Sequence, residues 1–92
     1  MVNTETNVDI SSNIFDSLSK LCLDNNWYML KHDNEIIYTN NKKELIFTDT
    51  PYKVKVSIPL KNSDMNYSTT FSNYYEAIQY AIQSLNYYFQ DV

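Results

Sequence analysis

One cysteine, one histidine and nine tyrosines are the residues with the most chemistry to offer in this 92-residue chain. A nucleophilic cysteine needs a base or another cationic neighbour to lower its pKa. Cys22 instead falls on an apolar stripe with Ile14, Phe15, Leu18 and Leu21. That position reads as a small buried hydrophobe. His32, Asp33 and Glu35 place three metal-ligand types within four residues. Ligands packed around one turn match no structural-zinc spacing, so His32 reads as an exposed turn residue. No serine is framed by a histidine and an acid. The paired carboxylates fall on loops, where no cleft is implied. The expectation is a non-enzymatic chain with no cofactor and no metal.

The tyrosines are concentrated in "NYYEAIQYAIQSLNYYFQ", residues 73–90, which hold five of the nine. At 100° per residue this segment has two faces. Tyr74, Ala77, Ile78, Ala81, Ile82, Leu85, Tyr88 and Phe89 share one. Glu76, Gln79, Tyr80, Gln83, Asn86, Tyr87 and Gln90 share the other, with Tyr75 at the boundary. Tyr74 and Tyr88 therefore border a core, whereas Tyr80 and Tyr87 stand on the polar face at two-turn spacing. Tyrosine supplies rigid contact area and is enriched at interfaces. Tyr80, Gln83 and Tyr87, bordered by Glu76, form the first candidate partner-binding patch. The acidic hairpin-tip residues Asp33, Glu35, Glu44 and Asp49 form a second. An open sheet edge is a third route to a partner or to a second copy. Bland readings stand beside each: tyrosine tolerates half-exposure, and acids are ordinary turn residues.

The elements that would position these groups are legible. The stripe from Ile14 to Cys22 gives a helix over about 11–24, capped by Ser11, Ser12 or Asn13 and ended by Asn25–Asn26 in a left-handed turn. Residues 1–10 read as a loose polar lead-in. "WYMLKHD", "EIIYT", "ELIFT", "YKVKVSIPL" and "MNYSTTF" are short β-prone runs separated by "DN", "NNKK", "DTP" and "KNSD". In the clearest strand Tyr52, Val54, Val56, Ile58 and Leu60 point one way, and Lys53, Lys55, Ser57 and Pro59 the other. Pro59 cannot donate to a ladder, so its end lies at an edge or past the pairing. Asn73 and Glu76 mark the start of the last helix. The expected fold is a two-layer α+β domain over 11–92: an antiparallel sheet of three to five short strands, with an N-terminal and a C-terminal helix packed on one face.

Composition narrows the function classes. Hydrophobic content of 43% with 15% aromatic belongs to a folded domain. The first residues, "MVNTETNVDI", lack the basic and apolar regions of a signal peptide. No apolar run is long enough for a transmembrane helix. With one cysteine there is no internal disulfide, and a reduced cytoplasmic setting is expected. The absence of glycine excludes a Gly-rich phosphate loop, and the absence of arginine excludes bidentate phosphate grips. Net charge is −4, with the acids in excess towards both termini. Such a chain is not expected to bind nucleic acid directly or to seek a membrane; it suits a basic protein surface. Abundant asparagine, tyrosine, lysine and isoleucine match AT-rich codons, an independent source for some of the tyrosines.

Taken over residues 11–90, this acidic, glycine-free, helix–hairpins–helix chain resembles small phage and mobile-element inhibitor proteins, including anti-CRISPR proteins that block Cas nucleases. The resemblance lies in composition and element order, and no motif transfers a functional residue. It implies a stoichiometric inhibitor that contacts a larger, basic nucleic-acid-handling enzyme in the cytoplasm of a bacterial host. The rival expectations are an immunity protein that neutralises a toxin, and a homodimeric structural or regulatory module. On the helical phase alone, Tyr80→Ala with Tyr87→Ala should leave the urea midpoint nearly unchanged while weakening partner capture.

Overall fold

A computed structural model describes the backbone of residues 2–90 and the side-chain burial of residues 13–90. Helix α1 (Val2–Asp24) leads into strands β1 (Tyr28–His32), β2 (Glu35–Thr39), β3 (Glu44–Asp49), β4 (Val54–Pro59) and β5 (Asn66–Phe71), and helix α2 (Tyr74–Phe89) follows. The fold is α+β, with two helices packed against a five-stranded antiparallel sheet. Each strand pairs with its sequence neighbour, in the order β1-β2-β3-β4-β5. Connections of two to six residues between the strands permit this meander and no crossover.

The first helix begins at Val2, well before the expected start near residue 11. The apolar stripe that reveals it starts only at Ile14, so periodicity is blind to the turns before it. Its C-terminus matches the expectation. Asn26 adopts φ 67°, in the left-handed region. The Trp27 N–H donates to the Cys22 carbonyl at 2.8 Å, and the Asn26 N–H to the Leu23 carbonyl at 3.0 Å. This is a Schellman closure with asparagine in the place usually held by glycine. It turns Trp27 back into the core beside Cys22.

Antiparallel register sorts the strands into two faces. Tyr38, Leu45, Phe47, Val56 and Ile58 line the helix-covered face, all of them buried. On the open face Leu30, Ile37, Ile46, Ser57 and Ser68 run in one row across the strands. That face is mixed in character, since Ile37 is buried while Lys55 is exposed. Tyr52 and Leu60 depart from the expected inward set. They lie just beyond the two ends of β4, outside the strand ladders, and both are exposed. Pro59 is buried but past the β3 ladder, which ends at Ser57. There the Asn66 side-chain amide donates to the Glu44 carbonyl at 3.0 Å, supplying a donor where proline has none.

Helix α2 is capped by Asn73, whose side chain accepts from the Glu76 N–H at 2.9 Å. Ala77, Ile78, Ala81 and Leu85 form its buried stripe. The two alanines allow close approach to the sheet and to α1. Ile78→Ala should lower unfolding free energy by about 2–5 kcal/mol, and Gln83→Ala by less than about 0.5 kcal/mol, in paired urea titrations.

Candidate aromatic groove and acidic hollow

The tyrosine-rich face of α2 borders a groove of about 350 Å³ whose floor comes from β4 and β5. Tyr80, Gln83 and Tyr87 all line it, so three members of the first candidate patch do come together. Tyr67 and Lys61 complete it from the sheet side. Sequence inspection of α2 alone misses both. The "KNSD" turn could have found Tyr67, because a hairpin closing at 61–64 sets Ile58 opposite Tyr67.

Lys61 organises the open end of the groove. The last turn of α2 has no basic residue of its own. Lys61 Nζ reaches over from the β4–β5 turn and donates to the Gln90 carbonyl at 2.5 Å. A cation at a helix C-terminus is favourable both for the dipole and for the unpaired carbonyls. The same ammonium lies 5.3 Å from the Tyr87 ring centroid, within cation–π range.

One expectation needs correcting. Helical phase sets Tyr80 on the wet face without a packing reason, yet it is half-buried against Phe71, with ring centroids 5.1 Å apart. It stands at the flank of α2 where β5 rises to meet the helix. Helical phase alone cannot see that neighbour. Tyr87 remains 65% exposed, as its phase implied. Glu76 is exposed on the first turn, away from the groove lining.

The acidic set divides. Asp33, Glu35 and Asp49 gather with Lys31 and Tyr74 around a hollow of about 270 Å³ at one end of the sheet. The β1–β2 and β3–β4 turns bring them together, held by the Asp49 N–H donating to the Asn34 carbonyl at 2.8 Å. Burial and then the Asp49 charge raise the Tyr74 pKa. Glu44 is separate. It starts β3 at the opposite end from Asp49, so a six-residue strand stands between them.

The chemical candidates are now placed. Cys22 is 1% exposed, and burial pushes its thiol up to about 12. Such a thiol is not an accessible thiolate nucleophile. His32 is exposed beside its register partner Glu35, and no group of three metal-ligating side chains occurs among the described residues. No helix among the described residues is long and apolar enough to cross a membrane. Comparison with protein-family models, curated proteins and solved structures finds no match to this chain.

Two measurements check these placements. Because Tyr80 packs on Phe71, Tyr80→Ala should cost about 1–2 kcal/mol of stability, in place of the near-neutral effect that helical phase alone implies, and Tyr87→Ala less than about 0.5 kcal/mol, read from urea midpoints. Cys22, Tyr38, Tyr74 and Tyr88 all have pKa values raised by burial. The folded chain therefore holds protons that the unfolded chain releases, and stability falls as pH rises. For Cys22 the loss runs from about 9 to about 12. The urea midpoint should drop between about pH 8 and about pH 11, and Cys22→Ala should flatten that drop.

Proposed function

We propose that this protein is a non-enzymatic inhibitor that acts by stoichiometric contact with a larger, basic, nucleic-acid-handling protein. The observation that carries the reading is the convergence of Asp33, Glu35 and Asp49 from two hairpins onto one end of the sheet. These acids stand at one end of the sheet, Glu35 on its open face and Asp49 on its helix-covered face, and with Lys31 as the one cation lining the hollow they leave that end anionic. Such a surface complements a cationic site of the kind that binds a phosphate backbone. The net charge of −4 supports the same direction of attraction. The burial of Cys22 supports a role in binding rather than in covalent chemistry. A bacterial nuclease of the CRISPR–Cas type is the first target to test, in line with the helix–hairpins–helix resemblance.

The test compares the wild-type chain with Asp33→Asn/Glu35→Gln/Asp49→Asn in a nuclease assay with purified effectors from low-GC bacteria. The wild type should inhibit at a one-to-one ratio, and the neutral variant should need a roughly tenfold higher concentration. Added salt should weaken the wild-type effect more than the residual effect of the variant. Absence of inhibition across such enzymes, or equal inhibition by both chains, overturns the reading.

A further inference from the structure

The edge of the sheet opposite β1 presents an unprotected strand. β5 pairs with β4 through six consecutive positions and has no second neighbour among the described residues. Edge strands are normally blunted by charge, proline or a bulge. β5 reads Asn-Tyr-Ser-Thr-Thr-Phe, with no charge, no proline and an unbroken register. The other edge strand, β1, ends in Lys31 and His32.

We propose that β5 pairs antiparallel with β5 of a second copy, about a two-fold axis through Thr69. Two chains of five strands each then share a continuous sheet of ten. The inference uses a different edge from the acidic hollow and does not rest on the inhibitory reading.

The first argument is self-complementarity. A two-fold interface requires that if residue i meets j, then j meets i. Residues 66–72 are nearly palindromic in type about Thr69: hydroxyls one step away, aromatic rings two steps away, small polar side chains three steps away. In the proposed register Tyr67 faces Phe71 of the copy, and Ser68 faces its Thr70, each twice. Tyr67, Thr69 and Phe71 lie on the helix-covered face, because they oppose Ile58, Val56 and Val54. The two aromatic pairs therefore form beneath the helices, where Tyr67 is 54% exposed in the single chain. Ser68 and Thr70 meet on the open face.

The second argument comes from the helical layer. α2 rests on β4 and β5. Continuing the sheet across the two-fold sets the two α2 helices antiparallel, two to three strand spacings apart, roughly 10–14 Å. Helices with ordinary side chains pack at about 8–10 Å. Large side chains fill the difference, and Tyr80 and Tyr87 line that flank of α2.

The third argument is charge. Between Asn66 and Gln90 the sole charged residue is Glu76. The antiparallel helices set the Glu76 end of one beside the Lys61–Tyr87 end of the other, so opposite charges approach. The acidic hollows of the two copies face away from each other at opposite ends of the dimer. Two chains of net charge −4 thus meet along an uncharged strand.

The test is sedimentation velocity on the full chain with two double variants. The wild type should sediment as a dimer that dissociates on dilution. Ser68→Glu/Thr70→Glu sets like charges opposite each other twice and should weaken the dimer roughly tenfold or more. Ser68→Lys/Thr70→Glu sets opposite charges together in this register alone and should remain dimeric. Far-UV circular dichroism confirms that both variants fold. Should either fail to fold, hydrogen exchange on the wild type decides: β5 edge amides should be protected when concentrated and exchange fast when dilute. A wild type that is monomeric at its solubility limit overturns the inference. So do open-ended chains, two dimeric variants, or a monomeric Lys/Glu variant.

Discussion

The two layers meet through Phe47. Its ring is fully buried on β3 and stands edge-on to Phe15 of α1 at 6.1 Å and to Tyr38 of β2 at 6.5 Å. Tyr74 at the start of α2 tilts against it at 6.3 Å. One side chain thereby ties the middle strand to its neighbour and to both helices. A domain this small buries roughly 60–65% of its unfolded surface, so aromatic bulk at the centre substitutes for the depth a larger core would have. Trp27 does the same work at the other end, edge-on to Tyr88 and Phe89. The Schellman closure after α1 is what aims it there. Between these two aromatic clusters the small residues Ala77 and Ala81 let α2 settle onto the sheet.

Much of this was legible because the chain is a meander. When strands pair only with their sequence neighbours, turn chemistry and alternation settle the topology, and "DN", "NNKK", "DTP" and "KNSD" did so here. The helical phase of α2 likewise separated Ile78 and Leu85 from Gln83 and Tyr87 correctly. What escaped depends on neighbours distant in sequence. Tyr80 looked unpartnered until the end of β5 supplied Phe71. Tyr52 and Leu60 continue the alternation of β4, but a pattern does not show where pairing stops. Glu44 looked like a companion of Asp49 because both flank turns, yet β3 runs from one end of the sheet to the other between them. The early turns of α1 carry no apolar period from which to read them.

Lack of glycine leaves the left-handed turn positions to asparagine and aspartate. Positive φ occurs at Asn26, Asp33 and Asn41. Asparagine and aspartate tolerate the left-handed region because their short side chains can bond locally. Asparagine also acts as a donor or acceptor at the β1–β2 turn, the β2–β3 turn, the Pro59 gap and the α2 cap. The abundance of this residue thus has structural use, whatever the codon bias behind it. The tyrosines divide differently. Tyr38, Tyr74, Tyr80 and Tyr88 pack against other rings, while Tyr52 and Tyr67 stand largely in solvent.

The meander also has a consequence for how the chain reaches this state. Every strand pairing is local, so each hairpin can close with little loss of chain entropy. The packing of α1 on α2 is the opposite case, because the whole sheet separates them in sequence. During synthesis α1 is made first, and its stripe from Ile14 to Cys22 must wait for α2 before the layer can close. Phe47 and Trp27 keep an unfinished side over the same interval. Sequence separation thus favours early closure of the sheet and leaves the joining of the two helices as the pairing with the longest loop to close.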